Sequence, residues 1–280
     1  HVQGVADFVV LRGLVTEQRF YNTDSARRGD SNPVLQLEAG RYVLRIRNDA
    51  NQTGAYAFQL ADLAAATGLV AGAQMVGALN PGQETDFHTF TAQAGERWYF
   101  NLQQIDNGDG TWRVIGPLGQ QVAWNYLSGS GDIEATLPQS GTYVVMIEGQ
   151  TYNAAANNYR FTAQKITDVA APLAIGATVS GNIAMAGQRD TYSFALGERT
   201  KLVFDTLSDA NLNWTLTGPR GVVVNDRTFR GSDANDFGGN PLLDLAAGNY
   251  TLVVDGTTDI TSPYAFRLLD LANAAVLTLG

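Results

Sequence analysis

The sequence predicts an all-β protein built of tandem antiparallel β-sandwiches of jelly-roll-like type, the first incomplete at its N-terminus. Three observations predict it. Gly-x-Tyr opens an apolar run three times (Gly40/Tyr42, Gly141/Tyr143, Gly248/Tyr250), with the tyrosines 101 and 107 residues apart. Tyr-x-Phe follows each time (Tyr56/Phe58, Tyr159/Phe161, Tyr264/Phe266), at spacings of 103 and 105. A Trp strand ending in Gly-Pro-x-Gly precedes two of them, as Trp112 with Gly116–Gly119 and Trp214 with Gly218–Gly221. So long a period exceeds the ~20–50 residues of solenoid units and suits self-contained domains in series.

The elements follow in order. Copies two and three each begin with a short apolar stretch (Met75–Leu79, Val179–Ile183) and a glycine turn (Pro81-Gly82, Ala186-Gly187). Next come Asp86-Phe87-x-x-Phe90 and Asp190-x-Tyr192-x-Phe194, the latter alternating with the period of a half-buried strand. Apolar strands at Arg97–Leu102 and Lys201–Phe204 lead to the Trp strand and its turn. A variable loop, a short strand (Ile133–Leu137, Leu242–Leu245), the Gly-x-Tyr strand and the Tyr-x-Phe strand complete about eight strands per copy. The expected domains are 1–70, 71–174 and 175–280. In copy one, Phe8–Leu11 aligns with the Trp strand, so its early strands are missing. A processed or truncated start, strand complementation by another chain, or a reduced form each account for that. Leu60-Ala61-Asp62-Leu63-Ala64 and Leu269-Asp270-Leu271-Ala272 also match, and no Gly/Ser-rich linker separates the copies.

Composition narrows the function. A net charge of −9 argues against nucleic acid and anionic lipid. No apolar stretch reaches the ~18 residues of a membrane span. The chain has no cysteine, so no disulfide or thiolate metal site. Only Lys165 and Lys201 are lysines, against sixteen arginines. With repeated β-domains, this balance fits a large exported bacterial protein. The start His1-Val2-Gln3-Gly4 resembles neither an initiator nor a signal peptide, and the chain is expected to be a piece of something longer.

Copies two and three resemble the bacterial pre-peptidase C-terminal domain. The resemblance rests on Asp190-Thr191-Tyr192-Ser193-Phe194, Gly218-Pro219-Arg220-Gly221 and Ala247-Gly248-Asn249-Tyr250-Thr251-Leu252-Val253-Val254. Copy two departs at His88 and Ser140. The resemblance implies a jelly-roll-like sandwich of secreted bacterial proteins, some of whose relatives bind calcium and some collagen or other polymers.

Calcium is the expected ligand, since it takes several hard oxygens. Asp106-Asn107-Gly108-Asp109-Gly110 offers them, with Asp205 through Asp209-Ala210-Asn211 as its counterpart. Asp86 and Asp190 open the matched strands and are expected nearby. The competing reading is an Asx-rich turn. Asp226, Asp233 and Asp236 form a second acidic loop, partly neutralised by Arg227 and Arg230. Trp124 and Tyr126 lie in the variable region, as sugar-stacking residues or as a loop anchor. Trp112 and Trp214 are expected in the core, Trp98 in the core or at an edge, and His88 at a packing or surface position. Arg28-Gly29-Asp30 spells an adhesive tripeptide in the variable loop of copy one. The sequence marks out no carboxylate pair as a buried dyad, and no His-Glu-x-x-His is present. The expected role is non-catalytic: a stiff spacer, stalk or filament unit at the bacterial cell surface. It would associate with neighbouring repeats or other copies of itself, including by strand complementation of 1–70. The alternative is a module binding polysaccharide or an extracellular matrix polymer.

Overall fold

The structure is a computed structural model that describes residues 34–35, 37–44, 59–108, 110–128, 131–150, 152–232, 242–256 and 259–275. The chain divides into two compact units, 1–165 and 166–280. Each contains a β-sandwich, as the alternating aromatic strands require.

The first sandwich holds β1 (Thr67–Gly68), β2 (Gln74–Leu79), β3 (Thr85–Ala92), β4 (Arg97–Ile105), β5 (Thr111–Ile115), β6 (Gln121–Tyr126), β7 (Ile133–Thr136), β8 (Gly141–Glu148) and β9 (Asn157–Lys165). Its sheets run β1-β3-β8-β5-β6 and β2-β9-β4-β7. The second holds β10 (Val169–Pro172), β11 (Val179–Ile183), β12 (Arg189–Leu196), β13 (Thr200–Thr206), β14 (Leu212–Gly218), β15 (Gly221–Thr228), β16 (Leu242–Leu245), β17 (Gly248–Gly256) and β18 (Ser262–Asp270). Its sheets, β10-β12-β17-β14-β15 and β11-β18-β13-β16, follow the same order.

The all-β class is as expected, with one departure: β1 and β10 pair in parallel with β3 and β12. These short strands join the sandwich that follows them. Leu69 and Leu173 accordingly enter the cores of the first and second sandwich. Phe8–Leu11, Tyr56/Phe58 and Arg28-Gly29-Asp30 of copy one lie outside the described residues.

Facing aromatic side chains fill each core. Trp112 and Trp214 are fully buried, and Trp98 is buried as well. Trp112 meets Phe161 of the opposite sheet edge-on at 5.7 Å, and Trp214 stacks on Phe204 at 4.1 Å. Such pairs add about 0.5–1.5 kcal/mol each beyond the area they bury.

The repeated motifs lock together. Tyr143 and Tyr250 each donate from the hydroxyl to the carbonyl four residues back, Gln139 at 2.7 Å and Ala246 at 2.8 Å. Each ring stacks on its cross-strand partner, Phe90 or Phe194. Tyr42 makes the same bond to Glu38 at 2.6 Å. Gly141 and Gly248 sit at φ 148° and 147°, where a side chain is strained. A Cβ there would also meet the Pro117 or Pro219 ring at 2.7 Å, so the Gly-Pro-x-Gly proline packs on the Gly-x-Tyr glycine.

Candidate functional site

Each sandwich holds a polar node, where β3 faces β9 in the first and β12 faces β18 in the second. On β12 the inward positions are Asp190, Tyr192, Phe194 and Leu196, all buried. Alternation therefore carries a carboxylate into the core, which demands hydrogen-bond partners. Tyr264 of the opposite sheet donates to Asp190 Oδ2 at 2.6 Å, and Gln188 Nε2 donates to Oδ1 at 2.7 Å. Since the Tyr264 proton is engaged, Tyr192, 2.6 Å away, donates its own to the Tyr264 oxygen.

The first sandwich repeats this node with one change. Tyr159 donates to Asp86 Oδ2 at 2.7 Å. His88 replaces Tyr192, with Nε2 at 3.0 Å from the Tyr159 hydroxyl. By the same proton count, Nε2 carries the hydrogen and donates. Nδ1 is then a buried acceptor without a partner. Burial lowers the His88 pKa, opposed by the Asp86 charge. Tyr159 and Tyr264 are pushed far up, first by burial and then by their bonds to Asp86 and Asp190, and stay protonated. Gly77 and Gly181 leave room for these rings, because a Cβ at either would fall 2.2–2.3 Å from Tyr159 or Tyr264. The node ties one sheet to the other through uncharged donors.

Among the described residues, the other expected calcium ligands, Asp106, Asp205 and Asp209, have partners of their own. Asp106 accepts from Asn158 Nδ2 at 2.6 Å and Gln104 Nε2 at 3.1 Å, bonds that hold its carboxyl below the usual range. Asn158 and Tyr159 are neighbours on one strand, so the Asp106 and Asp86 carboxylates lie on opposite faces of the β9 sheet. Asp205 pairs with Arg267, and Asp209 with Arg230 at 2.7 Å. Asn157, fully buried, clamps the turn by accepting from the Asn107 N–H and donating to its carbonyl, both at 2.9 Å. The turn is thus held by side chains from the start of β9. Among the described residues no three His, Cys, Asp or Glu side chains gather as a metal site. Asp109, Asp233 and Asp236 lie outside the described residues. Asp226, at φ 49°, accepts from Asn213 at 2.8 Å. Arg230 donates to Asp209, and Arg227 donates to the Gly231 carbonyl.

Trp124 and Tyr126 sit on the edge strand β6, whereas the sequence places them in a loop. Gly-Pro-x-Gly is the hairpin turn between β5 and β6, with Gly116 N–H donating to the Gln120 carbonyl. Two residues apart on one strand, both rings point to the outer face and are 36% and 39% exposed. They therefore do not anchor a loop on the core. Their planes meet at 79° with centroids 5.2 Å apart, so a sugar ring stacked on one presents its edge to the other.

Sequence reasoning missed a buried ion pair. Arg113 Nε donates to Glu148 Oε2, and both residues are almost fully buried on the outer face of the β5–β8 pair. Thr111 donates to the same oxygen at 3.2 Å, and Arg113 Nη1 donates to Gln121 at 3.0 Å. The legible signal was a charge in the Trp strand where copy three has Thr215.

No protein-family model matches the chain. No curated protein matches it either. Similar solved structures include PliG of Aeromonas hydrophila, a periplasmic inhibitor of g-type lysozyme. It is 22% identical over 35% of this chain and 96% of its own, with a TM-score of 0.29. The pre-peptidase C-terminal domain of collagenase from Bacillus anthracis is 13% identical over 36% of this chain and 96% of its own, TM-score 0.29. The CUB1-EGF-CUB2 portion of human MASP-1/3 is 9% identical over 69% and 99%, TM-score 0.24. These likenesses concern the β-fold alone.

Proposed function

We propose that this chain is a non-catalytic structural or adhesive module of a large exported bacterial protein, serving as a spacer, stalk or filament unit. The observation that supports this most is how the polar residues of the cores are used. Asp86, Asp190 and the motif tyrosines bond to one another across the sheets, leaving a scaffold rather than a polar cleft. The three residues between β9 and β10, Ile166-Thr167-Asp168, lack the Gly/Ser composition of a flexible linker. Calcium enters the proposal only through the 106–110 turn, because Asp86, Asp190, Asp205 and Asp209 already have protein partners. A ligand of the folded state raises stability. A melting temperature that rises with calcium and falls with chelator supports calcium, and an unchanged one removes it.

The second reading, a polysaccharide or matrix-polymer binder, rests on the exposed Trp124 and Tyr126. Glycan-array and polymer pull-down binding by the full chain decides between the two. The structural reading expects no retention above background. Retention abolished by Trp124→Ala supports the binder.

A further inference from the structure

The two sandwiches share strand order and register, yet their outer sheet faces differ. In the second, β14 and β17 alternate between buried and more exposed positions. The outward residues there are Thr215, Thr217, Thr251 and Val253. In the first, all of β5 is buried and so is β8 from Tyr143 to Glu148. The matching outward residues are Arg113, Ile115, Val144 and Met146. An Arg–Glu pair on an open face would be wet, whereas this one is about as buried as the core and saturated with hydrogen bonds. The face is built to be covered.

The described residues show what lies on its apolar part. Ile115, Val144 and Met146 form an apolar cluster against which Val34, Leu63 and Phe87 pack. Leu63 opens a 3-10 turn, Leu63–Ala65, capped by Asp62, which accepts from the Ala64 N–H at 3.0 Å. After β18 the chain makes the same turn, Leu271–Asn273, capped by Asp270. There Leu271 is 41% exposed. The segment after β9, Ile166-Thr167-Asp168, lacks the Asp-Leu-Ala sequence, and the sandwich after it has the Thr-rich face.

We propose that the Asp-Leu-Ala turn is a plug and the Ile115/Val144/Met146 face, with its Arg113–Glu148 pair, the socket that receives it. The occupant of the socket is this chain's own segment around Leu63, held by Val34 as a second contact. The plug seats the end of one repeat on the sheet of the next. Where the Asp-Leu-Ala sequence is absent, as after β9, the sandwich that follows carries the Thr-rich face. The outward residues on β5 and β8 and their counterparts on β14 and β17 thus encode which repeats are coupled.

The chain has no cysteine, which makes crosslinking clean. Leu63→Cys or Val34→Cys is combined in the full chain with Val144→Cys or Met146→Cys and oxidised. The expected product is an intramolecular disulfide in a chain migrating as a monomer. A disulfide-linked dimer shows a second copy in the socket and overturns the proposal. So does rapid alkylation of the cysteine at 144 or 146 without a crosslink. As a control, Leu271→Cys with Met146→Cys should give no crosslink; an intermolecular one shows the socket open. In parallel, Val144→Thr with Met146→Val installs residues that the second sandwich already carries. It should speed hydrogen exchange around 60–66 by roughly tenfold or more while β4 and β9 stay protected. Unchanged exchange there contradicts the seating.

Discussion

Asp86 and Asp190 show how one residue's role turns on the direction it faces. The sequence marks them as acids at the start of matched strands, which suggests a metal loop. One further step of the alternation seen in Tyr192 and Phe194 would have turned Asp190 inward, toward Tyr264. Partner identity was harder to read, because Tyr264 lies 74 residues away on the opposite sheet. His88 is the residue where the two sandwiches part chemically. Its pKa is lowered from 6.5 in the folded state, so the unfolded chain binds a proton that the native chain refuses. Stability from this group is full above about pH 6.5 and falls as the pH drops toward the depressed native value. His88→Tyr, the residue of the other sandwich, should abolish that fall in the 1–165 unit. Denaturant midpoints between pH 7.5 and 5.5 check this: equal slopes in variant and parent would contradict it.

At the scale of the element, strands with alternating aromatics and turns with glycine and proline were legible because their chemistry is local. The Tyr-to-carbonyl bond spans four residues, and the Pro117–Gly141 and Pro219–Gly248 contacts join two motifs already visible in the sequence. Four strands were not legible. β6 and β15 vary between copies and carry few core residues, so they looked like loops. β1 and β10 pair in parallel at an edge, and two or four residues give no period to read. The socket face was also hidden, since burial on both sides of β5 and β8 erases alternation. Gly248→Ala tests the turn geometry: strain at φ 147° plus the Pro219 clash should lower the stability of the 166–280 unit by about 1–3 kcal/mol. The 1–165 unit should be unaffected, and a smaller loss would mean that β17 opens differently.

The whole molecule reads as sandwiches of one design in which the polar interior serves cohesion. The repeat spacing made that plan visible; which faces couple depends on residues that no motif marks. A structural module carries load through units that yield separately. Each sandwich is closed by its own cross-sheet bonds, so stretching the full chain should rupture one at a time. Single-molecule force extension is the most direct measurement. A separate step is expected for each sandwich, each releasing roughly 0.33–0.36 nm per residue, about 35 nm for a ~100-residue fold. Smooth extension without steps, or one event releasing both sandwiches together, would contradict it.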